Sequence, residues 1–297
     1  MKQQQKAYIY ALSAILLWST IGTAFKIALR YLDPFQLIFF ASGVGLFIFF
    51  IIELLSGRGR QLLIISRKEF LKSALGGFLN PFLYYVILLS AYRLLEAQLA
   101  QPLNYLWPAM LVLFSAPLLG ERITFQSILS VILGIAGVYV IASKGQWIIV
   151  NSEDTLGVIL AAGSSVIWAL AWILNKKDRR REAKKLFWNF VFGFIYLGVA
   201  VAWFSNFELN RAEQYYSILY VGFFEVGITF FLWMRALQLT ESSAGISHFV
   251  FLSPFLALIF IHYILGEELY YTTYIGVFFI AGSILTGQLK RRQNKKN

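Results

Sequence analysis

The chain has 297 residues, 59% hydrophobic and 14% charged, with a mean hydropathy of +0.67 and a formal net charge of +11. A soluble domain runs nearer half apolar and a quarter charged, so this composition describes a polytopic membrane protein. With no cysteine, disulfides, thiolate metal sites and cysteine nucleophiles are excluded, and two histidines, His248 and His262, leave little for a metal site.

A membrane helix needs about 20 mostly apolar residues. That window yields ten spans, over residues 7–27, 34–54, 71–92, 97–117, 126–143, 156–175, 186–205, 216–237, 244–264 and 271–289. Turn signals such as Asp33-Pro34, Gly57-Arg58-Gly59 and Gly266-Glu267-Glu268 separate them, and no soluble domain fits between. The first run is long enough to span and no small-residue cleavage site follows it, so it reads as a span and not as a removable leader.

With the N-terminus inside, the inner segments hold 21 of the 26 Lys and Arg residues; Lys26, Arg30, Arg93, Lys144 and Arg211 lie outside. This bias puts both termini on the cytoplasmic side of the cytoplasmic membrane. The basic clusters, including the tail 290–297, then fix topology and meet anionic lipid headgroups; nucleic acid is not the expected partner.

The two halves repeat. Trp18 and Lys26 correspond to Trp168 and Lys176 at an offset of 150. Gly77, Ala91, Glu96 and Gly137 correspond to Gly222, Ala236, Glu241 and Gly282 at 145, and Leu119-Gly120-Glu121 to Leu265-Gly266-Glu267 at 146. The repeats cover 7–143 and 156–289, five spans each. An odd number of spans reverses the second copy in the membrane. Inverted repeats are a recurrent design of secondary transporters, with the substrate site near the midplane at the repeat interface.

These features resemble the drug/metabolite transporter superfamily, in its ten-span form with two tandem EamA domains. The residues that carry the resemblance are Trp18-Ser19-Thr20, Trp168 with Asn175-Lys176, and the Leu-Gly-Glu that closes the fourth and ninth spans; it extends from about residue 7 to 289. Asn104-Tyr105-Leu106-Trp107-Pro108, with Trp18-Ser19-Thr20, is similar to the aromatic amino acid exporter branch. Asn80-Pro81 departs from that branch, where an aromatic and then a polar or ionisable residue would stand. The resemblance implies ten helices around a central cavity, the fifth and tenth peripheral, and export of amino acids, aromatic ones among them.

The candidate site gathers on several spans. Pro102 and Pro108 bracket Asn104, Tyr105 and Trp107, and each proline frees a backbone carbonyl that only protein or a wet cavity can satisfy in hydrocarbon. Gln101, Asn104, Tyr105 and Pro108 follow at i, i+3, i+4 and i+7 and share one face, with Gln98 a turn earlier. On the ninth span Ser243, Ser247 and His248 sit at the related depth, and Ser253-Pro254 matches the neighbourhood of Pro108. Trp18, Trp107 and Trp168 lie away from span ends, where a tryptophan can stack a ligand or simply pack. Glu225 is mid-span; an intramembrane carboxylate marks a function or a buried hydrogen bond, and its repeat partner is Asn80, with Tyr84 a turn beyond. Lys26 and Lys176 would snorkel to headgroups or attract an anion. Glu96, Glu121, Glu241, Glu267 and Glu268 would be solvated or capping, His262 interfacial, and Trp147 and Trp203 belt residues.

The expected activity is alternating-access export of a small organic metabolite, with protons at Glu225 as the candidate coupling ion and no cofactor. Without a Walker-type glycine loop, ATP drive is not expected. Exchange of phosphorylated or nucleotide-linked anions is the nearest alternative and needs Lys26 and Lys176 on the cavity. An intramembrane enzyme would need a catalytic pair where only one carboxylate is mid-membrane. A passive pore is the third alternative.

Overall fold

Local sequence sets where several spans begin and end. Asp33 starts the second span: its carboxylate accepts the Phe35 and Gln36 amides at 2.8 and 3.1 Å, and Pro34 occupies the first turn. Ser66 with Glu69, and Thr124 with Ser127, make the same reciprocal cap for the third and fifth spans. Gly120 and Gly266, the glycines of the two Leu-Gly-Glu motifs, take φ of 70° and 72° and close the fourth and ninth spans in the left-handed region that glycine enters without penalty.

The computed structural model describes residues 3–57, 59–120, 124–146, 152–239 and 252–293, and every regular element among them is helical. The spans are Gln3–Ala28, Pro34–Leu55, Arg67–Leu94, Ala97–Leu119, Phe125–Ala142, Ser152–Lys177, Glu182–Phe204, and an eighth from Ala212 through Ile228–Leu239. The ninth is described over Leu252–Leu265 and the tenth over Tyr271–Gln293. Among the described residues, eight of these helices are long and apolar enough to cross a membrane, and the described apolar parts of the last two run over Leu252–Leu265 and Tyr271–Thr286. The expected residues Glu121, Trp147, Glu241, Ser243, Ser247 and His248 lie outside the described residues.

The packing follows the repeat. The first span packs on the eighth and ninth, and the sixth, its counterpart, packs on the third and fourth. The second pairs with its own counterpart the seventh, and the fifth with the tenth. Each half therefore completes its burial only against the other. Phe39 and Phe194 stack at 4.3 Å in the second–seventh contact. Where the fifth and tenth spans cross, the Ser130 hydroxyl donates to the Ser283 carbonyl at 2.7 Å and the Ser283 hydroxyl donates back to the Ser130 carbonyl at 2.6 Å. Ile128, Ile132, Ile135 and Tyr139 form an exposed apolar stripe on the fifth span, the face a lipid-facing helix presents.

Both halves break helical regularity at matched places. The third span kinks within Phe78–Leu83, where Asn80 leaves helical geometry, and the eighth widens into a π-helical turn over Gly222–Gly227. Such turns concentrate at functional sites. The fourth span is interrupted: one helix runs Ala97–Asn104, Tyr105 and Leu106 form a turn, and a second helix starts at Trp107. Pro108 sits in the first turn of that second helix, where its missing N–H costs nothing.

Candidate functional site

The interruption at Tyr105, the turn at Glu225 and the tryptophans of the first and sixth spans converge on one cavity of about 100 Å³ between the two halves. From the fourth span Gln101, Asn104, Tyr105 and Trp107 reach it; from the third, Tyr84, Leu88 and Tyr92. The first span supplies Trp18, Ile21, Gly22 and Phe25, the sixth Trp168 and Trp172, and the eighth Glu225 and Trp233.

Its wall is mostly aromatic and the rings support one another. Trp168 lies 4.4 Å from Tyr84 and 6.3 Å from Trp172, and Trp172 stacks on Trp107 at 6.5 Å with an interplanar angle of 17°. Trp18 sits 5.7 Å from Trp233 and 5.9 Å from Phe230.

Hydrogen bonds join the polar lining residues to one another and to the opposite half. The Tyr84 hydroxyl donates to Asn104 Oδ1 at 3.1 Å, and Asn104 Nδ2 donates to Ser164 Oγ at 2.8 Å. The Tyr105 hydroxyl donates to Ser253 Oγ at 2.6 Å, and Ser253 lies 3.3 Å from Ser19 Oγ. Glu225, 7% exposed, accepts from the Tyr85 hydroxyl at 2.9 Å. Gln101 is 5% exposed, and its Oε1 has no hydrogen-bond partner among the described residues. Gly22 lets the first span close on that amide: a Cβ there would collide with the Gln101 side chain and stand 2.9 Å from the Tyr92 hydroxyl.

Of the residues expected from sequence, Trp18, Tyr84, Gln101, Asn104, Tyr105, Trp107, Trp168 and Glu225 are brought together here. Asn80 is not among the lining residues. The residue before a proline is pushed out of the helical region, and Asn80 adopts φ −150° and ψ 118°, half-buried. Pro81 behind it packs against Gly193 of the seventh span. The pairing of Asn80 with Glu225 therefore holds along the chain and not across the cavity. Trp172, Tyr92 and Trp233 were missed. Trp172 was legible as one helical turn from Trp168, whereas nothing in the spacing marks Trp233.

Lys26 corrects a second expectation. It neither snorkels to headgroups nor enters the cavity: its Nζ donates to the Tyr92 and Leu95 carbonyls at 2.8 and 2.7 Å, satisfying the open C-terminal end of the third span. Lys176 is exposed at the far end of its span. Neither lysine lines the cavity, so the anion reading loses the groups it required. Lys26, Arg30, Arg93 and Glu267 instead surround a separate vestibule of about 420 Å³ that shares Tyr92 with the cavity.

That end of the bundle is closed by a polar lattice between the fourth span and the turn after the ninth. Glu267 Oε1 and Oε2 accept the Ala97 and Gln98 amides at 2.9 and 3.0 Å, capping the fourth span from the other repeat. Burial raises the Glu267 carboxyl above its usual value, opposed by those two amides. Gln98 donates to Glu96 and to the Glu268 carbonyl, both at 2.8 Å, and accepts the Tyr270 amide at 2.9 Å. The Tyr270 hydroxyl donates to Glu96 Oε1 at 3.1 Å, so Glu96 and Glu267 are both tied to the opposite repeat. His262 is exposed beside Tyr263, with Nδ1 3.0 Å from the Glu267 carbonyl, and Trp203 is 79% exposed at the end of its span. At the other end Arg181 pairs with Glu53 at 2.7 Å and Arg180 with Asp178 at 2.6 Å, so part of the basic charge there is held within the protein.

A helical bundle of two interlocked halves around an aromatic, single-carboxylate cavity has the build of a membrane transporter. The chain belongs to the EamA-like transporter family, which matches it over residues 5–143 and 155–286, and so to the drug/metabolite transporter superfamily. The uncharacterized transporter YvbV of Bacillus subtilis (strain 168) is 26% identical over 307 residues, covering 99% of this chain and 96% of its own. A protein named aromatic amino acid exporter YddG, from Ancylobacter novellus, is 25% identical over 236 residues, covering 77% of this chain and 79% of its own. A solved crystal structure, 21% identical, superposes with a TM-score of 0.70 over 97% of this chain and 98% of the other, a likeness of fold.

Proposed function

We propose that the protein is a secondary transporter that exports a small amino compound across the cytoplasmic membrane by alternating access, with both termini in the cytoplasm. The carrying observation is the cavity itself, placed between the repeats and lined by Trp18, Trp107, Trp168 and the carboxylate of Glu225. The reversed halves rock about it, and the lattice at Glu267, Gln98 and Tyr270 is the outer closure. Membrane lipids are its surroundings, and the likeness to YddG supports an aromatic amino compound as cargo. A carrier, not an enzyme, suits a cavity in which Glu225 has no second carboxylate beside it among the described lining residues.

Glu225 is the coupling residue of this reading. A carboxylate buried within the membrane is costly while ionised, so its proton and the cargo alternate there. The test is uptake into liposomes of the purified protein, across a panel of amino acids, aromatic amines and sugar phosphates, with and without a pH gradient. Glu225→Gln should uncouple uptake from the gradient. A Glu225→Gln protein that transports at the wild-type rate with unchanged pH dependence would remove the coupling role.

A further inference from the structure

Resting on the transporter reading, we infer that the cavity selects an organic ammonium ion, a protonated or quaternary amine without a carboxylate, and not the zwitterion of an amino acid. The first ground is charge. Glu225 is the one ionisable acid among the described lining residues, and none of those residues is Lys, Arg or His. An ammonium group would neutralise that carboxylate; the carboxylate of an amino acid would meet it with no cation among the described lining residues to hold it.

The second ground is the direction of the hydrogen bonds. The hydroxyl protons of Tyr84 and Tyr105 are already donated to Asn104 and Ser253, and the Asn104 amide to Ser164. Among the lining side chains, the polar atom that is both fully buried and without a partner among the described residues is an acceptor, Gln101 Oε1. A buried acceptor of this kind is costly unless a donor comes to it, and an ammonium N–H is such a donor.

The third ground is the wall. Trp18, Trp107, Trp168 and Trp172 line the cavity together with Tyr84 and Tyr105. Aromatic faces attract a desolvated cation through the ring quadrupole and are the recurrent cage for ammonium groups. The basic side chains that could hold a carboxylate, Lys26, Arg30 and Arg93, stand in the separate vestibule.

The experiment compares three compounds that differ only at the head: 2-phenylethylamine, L-phenylalanine and phenylacetate. Each is titrated against the purified protein in detergent by thermal shift, and radiolabelled phenylethylamine is then offered to liposomes. Phenylethylamine should stabilise the protein at a roughly tenfold lower concentration than phenylalanine, and phenylacetate should do nothing. Glu225→Gln and Gln101→Leu should each weaken the amine. Phenylalanine or phenylacetate binding as well as the amine, or no binding by any of the three, overturns the inference. The wild-type comparison decides this even if a variant fails to fold. Amine binding without liposome uptake would leave the ligand class standing and count against transport alone.

Discussion

Glu267 caps the fourth span through the Gln98 amide at 3.0 Å, although the two residues belong to different repeats. The contact can exist only while the turn after the ninth span lies against the start of the fourth. Burial, the largest influence, raises the Glu267 carboxyl above 4.5. A raised acid favours this closed arrangement below its ordinary value, and the preference is lost as pH rises through the raised one. Closure at this end should therefore strengthen as pH falls from neutral, and Glu267→Gln should flatten the dependence. The chain has no cysteine, so spin labels at Arg93→Cys and Tyr271→Cys read the distance cleanly. A distance distribution that ignores pH in the wild type would refute the link.

Trp168 stands 4.4 Å from Tyr84 and is 8% exposed, so it is both wall and packing. Trp168→Ala should cost about 3–5 kcal/mol of stability and abolish measurable cargo binding. Trp168→Phe keeps a ring face and should retain binding, weakened by about 1 kcal/mol. Equal binding by both variants in a thermal-shift titration would show that the ring face does not matter.

The Tyr105 hydroxyl meets Ser253 Oγ at 2.6 Å, joining the interrupted fourth span to the ninth. Tyr105→Phe and Ser253→Ala should each destabilise by about 1 kcal/mol, and the double variant should cost less than the sum. Additive losses in thermal unfolding would mean that the bond contributes nothing.

Gly137 lies at the crossing of the fifth and tenth spans, where an added Cβ would stand 2.9 Å from the Gly276 carbonyl oxygen and 2.8 Å from an Ile280 side-chain carbon. Small residues let such helices approach. Gly137→Val should therefore lower stability by about 1–3 kcal/mol while leaving the KM of surviving protein unchanged, because this pair lies away from the cavity. An altered KM with unaltered stability would place the pair in the transport machinery.

Much of this arrangement was legible in the sequence. The ten apolar runs, the repeat offsets and the paired Leu-Gly-Glu motifs are local signals, and the fold expresses them as spans, swapped packing partners and matched left-handed glycines. The polar face of the fourth span was readable because helical spacing puts Gln101, Asn104 and Tyr105 on one side. Three things were not readable, each for a tertiary reason. Asn80 leaves the cavity because the following proline changes its backbone. Lys26 finds its partners in carbonyls 66 and 69 residues away. Trp233 joins the wall through the approach of the first span to the eighth, which periodicity within one helix does not encode.

In the proposed transport cycle the cavity opens to one side at a time and carries its occupant across. Tracer counterflow tests it most directly. Liposomes holding the protein are loaded with an excess of the unlabelled compound that the uptake panel selects, then diluted into a trace of the same compound with label. A carrier that alternates will exchange the two, and label will rise inside above its final level before falling back. A simple monotonic approach to equilibrium, without that overshoot, would contradict alternating access and describe a pore.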